Sequence, residues 1–322
     1  MAGRPRVVSL LPSATEMVCA VGGRGFLVGR SHECDYPAGL GGVPVLTRMR
    51  TDAGVAPAEV DASVRTALSS GASLYDLFAD QLLALRPDVI LTQDVCEVCS
   101  VDLAAVRRVA DGLSHRPEVV SLNPATVEGV LDDVLTVARA VGLEPAGRDV
   151  VVGLRERMCA AEEHVNAYAA RPVLAFLEWT DPLYCGGHWT AQLVERAGAA
   201  HPLNPTRQGV AGKSVRVPEE VMTGLAPEWV VICPCGMDLA RTRGCAAALA
   251  AKNWWGALPA VANGRVALVD GNQMFNRPGP RLVDAFEWLV GWLHGREELM
   301  PRGFPWEAMK TATGNGIAGG RE

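Results

Sequence analysis

Short apolar runs rich in β-branched residues alternate with amphipathic stretches along the whole chain, and this alternation constrains the fold more than any other feature. The runs, in chain order, cover residues 6–11, 26–29, 89–92, 119–122, 173–177, 229–233 and 266–270. This pattern is typical of parallel sheets wrapped by helices. The sequence therefore predicts an α/β fold with a mainly parallel, Rossmann-like sheet in each half.

Two patterns predict where helices begin. Ser13-Ala-Thr-Glu16 follows the first run with the spacing of a capping box. After Asn123-Pro124, an apolar stripe of helical spacing continues to Val141 and stops at Gly142, which predicts a single long helix leaving the first sheet. A further helix is predicted over about 145–170. The predicted organisation is an N-terminal lobe over 1–122, a joining helix over 123–143, a C-terminal lobe over 144–300 and a tail over 301–322.

The charge pattern argues against a nucleic-acid partner, and the hydropathy pattern argues against a membrane-spanning helix. The 322 residues carry a formal net charge of −6, and lysine and arginine form no basic run that would favour nucleic acid. No apolar stretch approaches the roughly 18 residues that a membrane-spanning helix needs. The first residues match neither a signal peptide nor a lipobox. We therefore expect a cytoplasmic protein, or a periplasmic or surface protein if a leader has been removed.

Chemically active side chains concentrate in the loops that follow the predicted strands. Ligands of open α/β sheets bind at the carboxyl ends of strands, so these loops are the candidate site. Six of the nine cysteines lie in them. The loops are Ser31-His-Glu-Cys-Asp-Tyr-Pro37, Gln93-Asp-Val-Cys-Glu-Val-Cys99, residues 178–189, Cys233-Pro-Cys235-Gly and residues 271–279.

Several longer segments resemble the iron-siderophore and vitamin B12 class of bacterial solute-binding proteins, over about residues 6–295. They are VVSLLPSATEMVCAVG (7–22), LLALRPDVILTQ (82–93), VPEEVMTGLAPEWVVI (217–232), WWGALPAVANGRVALVDG (254–271) and RPGPRLVDAFEWL (277–289). The resemblance implies two lobes joined by one rigid helix, with little hinge motion. It also implies a binding protein that holds a metal chelate between the lobes: cobalamin, a related corrinoid or an iron siderophore. An ABC permease is the partner that this class would have.

The thiols support a second hypothesis. Cys96 and Cys99 form a C-x-x-C pair, and Cys34 follows a neighbouring strand, so three thiolates can converge on zinc or an iron–sulfur cluster with His32 as a fourth ligand. The alternatives are that Cys96 and Cys99 have no chemical role, or that they form a redox-active pair. The acidic residues Asp94 and Glu97 favour a bound cation beside these thiols. A cytoplasmic metal or iron–sulfur enzyme, or a redox protein, is therefore the rival function.

The remaining candidates are aromatic and polar side chains of the strand-end loops. Aromatic rings on loops favour a flat ligand, with packing against each other as the alternative. The predicted ligand-binding residues are Gln93, Glu178, Trp179, Tyr184, Trp189, Phe275, Asn276 and Arg277, with His188 as a possible metal ligand. The sequence contains no recognisable nucleophile–base pair, so whether the protein is an enzyme stays open.

Overall fold

The computed structural model describes residues 3–50, 56–69, 73–94, 101–210 and 212–310. Its contacts divide the chain into two compact units. Unit 1 comprises residues 1–55, 62–124 and 128–155, and unit 2 comprises residues 56–61, 125–127 and 156–322. The two-lobed α/β class expected from the sequence is the fold observed, whereas the exact lobe boundaries stay a prediction.

Unit 1 is built on a four-stranded parallel sheet in the order β2-β1-β5-β6. These strands are β1 (Val7–Ser9), β2 (Leu27–Arg30), β5 (Val89–Thr92) and β6 (Glu118–Ser121). A separate antiparallel ribbon pairs β3 (Thr47–Met49) with β4 (Tyr75–Leu77). The helices along the first 162 residues of the chain, parts of which belong to unit 2, are α1 (Pro12–Ala20), α2 (Pro57–Ser69), α3 (Ala79–Leu85), α4 (Leu103–Asp111), α5 (Val127–Ala140) and α6 (Glu144–Glu162).

The centre of this sheet is apolar because helices cover both of its faces. Val8, Ile90 and Leu91 are completely buried. The four parallel strands of unit 1 therefore lie within two residues of the runs that predict them.

Helix α1 begins differently from the prediction. Its first residue is Pro12, its N-cap is Leu11, and no side chain caps this described helix start. Proline suits the first helical position, because its fixed φ angle is helical and its missing N–H would have no partner there. Ser13 lies inside the helix and is buried. The capping-box interpretation of Ser13 and Glu16 is therefore wrong.

Helix α5 agrees with the apolar stripe that predicts it. It spans Val127–Ala140, and Val130, Val134 and Val137 on its apolar face are buried. The next helix spans Glu144–Glu162 and is shorter than the predicted 145–170.

Unit 2 contains a six-stranded sheet in the order β12-β11-β10-β7-β8-β9, parallel across β11, β10 and β7 and antiparallel at both margins. The strands are β7 (Leu174–Thr180), β8 (Leu183–Cys185), β9 (Val215–Arg216), β10 (Trp229–Ile232), β11 (Val266–Val269) and β12 (Trp306–Ala308). The helices are α7 (His188–Arg196), α8 (Glu219–Leu225), α9 (Leu239–Ala250), α10 (Pro259–Ala262) and α11 (Leu282–His294).

Two features of unit 2 were not expected. The margins of the sheet are short antiparallel strands that the sequence pattern did not reveal, and β12 lies inside the segment 301–322 that was predicted to be a tail. Phe304 explains this position, because its ring stacks on Trp288 at 5.0 Å and holds the segment against the core. None of the helices in the described ranges is long and apolar enough to cross a membrane.

Candidate functional site

His32 lies at the carboxyl edge of the unit 1 sheet, where contacts fix its ring but leave it partly accessible to solvent. It lies two residues after β2, and its ring packs beside Tyr75 with a centroid distance of 5.7 Å. Its Nδ1 lies 2.7 Å from Thr47 Oγ1, and its backbone N–H donates to the same oxygen at 3.1 Å. Burial lowers the pKa of His32, which favours the neutral ring.

Thr47 Oγ1 also lies 3.2 Å from Ser31 Oγ, so the imidazole and two hydroxyls form a short chain of polar contacts. Nε2 of His32 has no hydrogen-bond partner among the described residues, and it is not one of the buried unpaired atoms, so solvent reaches it.

Cys34 lies in the same loop, but its thiol is buried, with 1% exposure. Ser9 donates to Leu11 O at 3.0 Å, and Thr15 Oγ1 lies 2.8 Å from Ser9 Oγ and 3.0 Å from Cys34 Sγ. The Thr15 hydroxyl can donate to Ser9 Oγ or to Cys34 Sγ, and the thiol donates to Ser9 O at 3.9 Å. Cys34 is therefore held inside a buried network of hydroxyls and backbone carbonyls.

Backbone contacts fix the conformation of this loop. The Arg30 guanidinium donates to the carbonyl oxygens of Ser31 and Cys34 at 3.2 and 3.0 Å through Nη1, and to Leu40 O at 3.3 Å through Nε. One side chain therefore ties the start, middle and end of the loop together. His32 is presented from a rigid support.

The three-cysteine metal site receives no support. Cys96 and Cys99 lie outside the described residues. Across the parts of the chain that the structure describes, no group of three or more His, Cys, Asp or Glu side chains could hold a metal ion. Gln93, just before the undescribed stretch, is half-buried at the end of β5.

The carboxyl edge of the unit 2 sheet carries a stacked pair of rings. His188 and Trp189 begin helix α7, with ring centroids 5.6 Å apart and an interplanar angle of 25°. Trp189 is half-buried, and its Nε1 donates to Phe275 O at 2.7 Å. A hydrogen bond to a backbone oxygen fixes the plane of the indole, while its half-exposed surface stays available for a flat ligand.

His188 adopts an unusual backbone conformation. Its φ angle is +48°, which side chains other than glycine rarely adopt. Its Nδ1 is buried without a hydrogen-bond partner among the described residues. Burial, and then the charge of Lys213, lower the pKa of the ring. Residues in such conformations cluster at functional sites, so this strain marks His188 as a candidate.

Glu178, close to the end of β7, receives a short hydrogen bond from Ser214 Oγ. Its carboxylate contributes to raising the pKa values of two buried thiols, after the larger effect of their burial. The pKa of Cys185 rises to about 12, and that of Cys233 rises well above its ordinary value. These thiols are therefore neutral at pH 7 and unsuited to ligate a metal as thiolates.

Phe275 occupies the core of unit 2. It is fully buried, and its ring packs on Phe176 at 4.9 Å, on Trp288 at 5.9 Å and on Phe304 at 6.4 Å. Packing alone therefore accounts for this aromatic residue, which the sequence placed among the ligand contacts.

The two polar candidates after Phe275 also have places in the fold: Asn276 bonds to the backbone, and Arg277 is buried. Asn276 donates through Nδ2 to the carbonyl oxygens of Cys233 and Gly271, at 3.1 and 2.9 Å, and so links the ends of β10 and β11. Arg277 is buried, with 6% exposure. Their assignment to ligand binding stays a prediction.

Trp179 and Tyr184 face each other across the β7–β8 hairpin, where they form a register pair. Both are half-buried, and Trp179 Nε1 donates to Asp181 O at 3.1 Å. Trp179 is the second-to-last residue of β7, and Tyr184 is the middle residue of β8.

The structure places His201, which no sequence motif marks, in a buried polar contact. His201 Nε2 lies 3.4 Å from Cys185 Sγ, and its Nδ1 lies 3.2 Å from Leu174 O. Burial lowers the pKa of His201 and raises that of Cys185, so the pair is neutral and inert. Sixteen residues separate the two, and no motif signals their contact.

Two α/β units with polar and aromatic residues at the carboxyl edges of their sheets define a solute-binding fold. A family model described as "Periplasmic binding protein" matches residues 7–272. The chain belongs to this family. No curated protein sequence matches it.

Solved structures share this fold at low sequence identity. A possible iron-binding (periplasmic solute-binding) protein from Staphylococcus epidermidis ATCC 12228 has a TM-score of 0.67 and 18% identity, over 90% of this chain and 99% of that one. The haem-binding protein RhuT from Roseiflexus sp. RS-1 has a TM-score of 0.66 and 18% identity, over 92% and 100%. The vitamin B12 binding protein BtuF of Vibrio cholerae has a TM-score of 0.63 and 18% identity, over 91% and 98%.

Proposed function

We propose that this protein binds a planar metal chelate of the haem or corrinoid class and serves as the solute-binding component of an ABC transporter. Membership of the periplasmic binding protein family carries the binding role. The structures with the same fold are named for iron, haem and vitamin B12 binding, which favours a metal chelate as the solute.

The aromatic side chains at the carboxyl edge of unit 2 favour a planar chelate over a globular one. Trp189 has a fixed indole plane that is only half-buried, and Trp179 and Tyr184 are half-buried in the β7–β8 hairpin. Flat apolar surface held rigidly costs little conformational entropy when a flat ligand stacks on it. A tetrapyrrole ring offers such a ligand surface.

The rival function, an enzyme or redox protein built on three cysteines, has less support. Cys34 is buried and receives a hydrogen bond from Thr15, and Cys185 and Cys233 are buried with raised pKa values. Cytoplasmic location is a separate proposal, which cell fractionation with an antibody against the chain would test.

Tryptophan-fluorescence titrations with haem and with aquocobalamin test the proposal. We expect saturable quenching by at least one of them, and Trp189→Ala should weaken binding by about 1–3 kcal/mol, or about 5- to 150-fold in Kd. Trp254→Ala is the matched control, because Trp254 is also half-buried in unit 2 but donates to Glu219 at 2.7 Å. If neither chelate binds at millimolar concentration, the proposal fails.

A further inference from the structure

We propose that unit 1 carries a second ligand site, a pocket that binds a small organic anion with a carboxylate or phosphate group. The pocket has a volume of about 370 Å³ and is lined by Arg6, Ala84, Leu85, Arg86, Asp88 and His115. Parallel strands begin at one edge of a sheet and end at the other, so this pocket lies at the edge opposite His32. The inference therefore goes beyond the proposed function and does not depend on it.

The pocket forms where three segments lead into the sheet. Arg6 comes directly before β1, Asp88 directly before β5, and His115 three residues before β6. Arg6 Nε donates to Leu85 O at 2.9 Å, and the Arg6 backbone N–H donates to Asp88 Oδ2 at 2.7 Å. His115 Nε2 donates to Pro87 O at 3.0 Å and lies 3.8 Å from Asp88 Oδ1. These contacts hold the walls of the pocket in place.

Positive charge exceeds negative charge in this lining. Arg6 and Arg86 contribute two guanidinium groups, and the one carboxylate among the described lining residues is that of Asp88. The Arg6 guanidinium uses Nε for Leu85 O, but its two Nη groups have no hydrogen-bond partner in the described parts of the chain. The guanidinium of Arg86 has none there either. Two free forks of N–H donors suit the paired oxygens of a carboxylate or a phosphate.

Unit 2 repeats this local backbone arrangement without the first arginine. Val173 comes directly before β7, and its N–H donates to the Glu228 carboxylate at 3.2 Å. The Glu228 N–H in turn donates to Val173 O at 2.9 Å. Arg6 and Asp88 make the same two contacts in unit 1, since the Asp88 N–H donates to Arg6 O at 2.8 Å. A valine therefore satisfies this position of the fold, and the backbone contacts do not account for the Arg6 side chain.

The second arginine has the same relation to an alanine of unit 2. Arg86 is the C-cap of α3 with a φ angle of +44°, and Ala226 is the C-cap of α8 with a φ angle of +48°. Each N–H donates to the carbonyl three residues earlier, and each residue precedes a proline. Alanine therefore makes this left-handed helix end as well as arginine does. The helix end does not account for a charged side chain at Arg86.

The size and the apolar part of the pocket favour an organic anion over a bare one. Small-molecule pockets have volumes of about 300–1,000 Å³, and the pocket of unit 1 lies within that range. Inorganic phosphate would leave most of this volume unfilled. Ala84 and Leu85 supply an apolar wall beside the two guanidinium groups. We therefore expect a ligand with one anionic group on a short apolar body.

Amide chemical-shift titrations of the isotope-labelled full chain, with no tetrapyrrole present, test the proposal. The probes are phenyl phosphate, benzoate, inorganic phosphate and the uncharged benzamide. We expect saturable shifts around Leu85, Asp88 and His115 with phenyl phosphate, benzoate or both, and none with benzamide. The stronger of the two organic anions identifies the anionic group. Inorganic phosphate should bind more weakly than phenyl phosphate, and equal affinity would overturn the assignment of an organic anion.

Three variants test the role of charge. Arg86→Ala gives α3 the C-cap residue that α8 has in Ala226, so the fold should tolerate it. It should raise the Kd of the bound anion about three- to tenfold, because one of two guanidinium groups is lost. Arg148→Ala is the matched control, since Arg148 is also an exposed arginine of unit 1 but lies on α6 outside the pocket. Asp88→Asn keeps an oxygen for the Arg6 N–H but removes negative charge, and it should lower the Kd about two- to fivefold.

The opposite signs expected for Arg86→Ala and Asp88→Asn distinguish charge recognition from damage to the fold. Equal Kd values for Arg86→Ala, Arg148→Ala and the unchanged protein would overturn the proposal. So would the absence of saturable shifts with both organic anions at millimolar concentration. Because these titrations contain no tetrapyrrole, either failure would leave the proposed function standing.

Discussion

The carboxyl edges of the two sheets occupy equivalent places in the fold but are built from different chemistry. In unit 1 the edge is a network of small hydroxyls that holds His32 and buries Cys34. In unit 2 the edge rests on an aromatic core, and Trp189 is held by the backbone of Phe275. The first edge offers a polar imidazole, and the second offers flat aromatic surface.

The two candidate histidines differ in the same way. His32 has an ordinary backbone, a paired Nδ1 and an accessible Nε2. His188 has a φ angle of +48° and a buried, unpaired Nδ1. Equal residue types at the two edges are therefore held in different ways: His32 by hydrogen bonds to Thr47, and His188 by stacking against Trp189 in a strained backbone conformation.

The largest expected effect tests whether the buried ring of Phe275 stabilises unit 2. Phe275→Ala should lower the free energy of unfolding by about 3–5 kcal/mol, because it removes a fully buried ring and leaves a cavity. Phe275→Leu should cost less, since it keeps most of the volume. Urea unfolding followed by circular dichroism measures both. Near-normal stability of Phe275→Ala would return Phe275 to the ligand contacts.

The next prediction concerns Asp133, a partly buried carboxylate of unit 1 that lacks a partner of opposite charge in the described parts of the chain. In unit 2, by contrast, the charge of Arg157 is paired with Asp284 and Glu287. In unit 1, Asp133 on α5 has a buried Oδ2 with no hydrogen-bond partner among the described residues. Burial, and then the charge of Asp132, raise the pKa of Asp133 to about 7.

This raised pKa has a definite sign. Between about pH 4 and pH 7 the folded state holds more protons than the unfolded state, so the contribution of Asp133 to stability falls as pH rises through that range. Asp133→Asn should therefore raise stability at pH 8 by about 1–2 kcal/mol, after allowance for solvent screening of a partly exposed group. Thermal unfolding at pH 5 and pH 8 measures this, with Asp149→Asn, at an exposed carboxylate of unit 1, as the control. An equal effect at both pH values would contradict it.

A smaller effect concerns the hydroxyl network of unit 1. Cys34→Ala should destabilise the protein by about 1 kcal/mol through lost packing and one lost hydrogen bond. Metal content after anaerobic purification should not change. Elemental analysis of both proteins is the measurement, and stoichiometric zinc or iron that disappears in Cys34→Ala would restore the cysteine site.

The smallest expected effect concerns the strained histidine of unit 2. His188→Gly should stabilise the protein by about 0.5 kcal/mol, because relief of the left-handed conformation exceeds the entropic cost of glycine. His188→Ala keeps the backbone strain and serves as the control. A His188→Gly protein that is less stable than His188→Ala would mean that φ is not the source of the strain.

Much of the fold could be predicted from the sequence, because buried parallel strands are continuous apolar runs. Each of the seven runs overlaps a strand of the two sheets, from Val7–Ser9 to Val266–Val269. The antiparallel ribbons and β12 were missed because strands of two or three residues contain too little periodicity. The start of α1 was misassigned because Ser13 fits a capping pattern, whereas the helix already begins one residue earlier, at Pro12.

The candidate site could be predicted in part. The position of a residue after a strand identified His32, His188 and Trp189, because strand ends share one edge of a sheet. Their partners could not be predicted: Thr47 lies fifteen residues from His32, and Phe275 lies 86 residues from Trp189. Phe275 itself was assigned to the ligand because sequence shows an aromatic residue on a loop but not the core beneath it.

Native mass spectrometry of the intact chain tests the central claim most directly. The protein would be incubated separately with ferric haem, with aquocobalamin and with an iron-loaded hexadentate siderophore. The account predicts a mass increase of a whole chelate with at least one of the tetrapyrroles and none with the siderophore. A chain that retains only the siderophore, or none of the three, would contradict it.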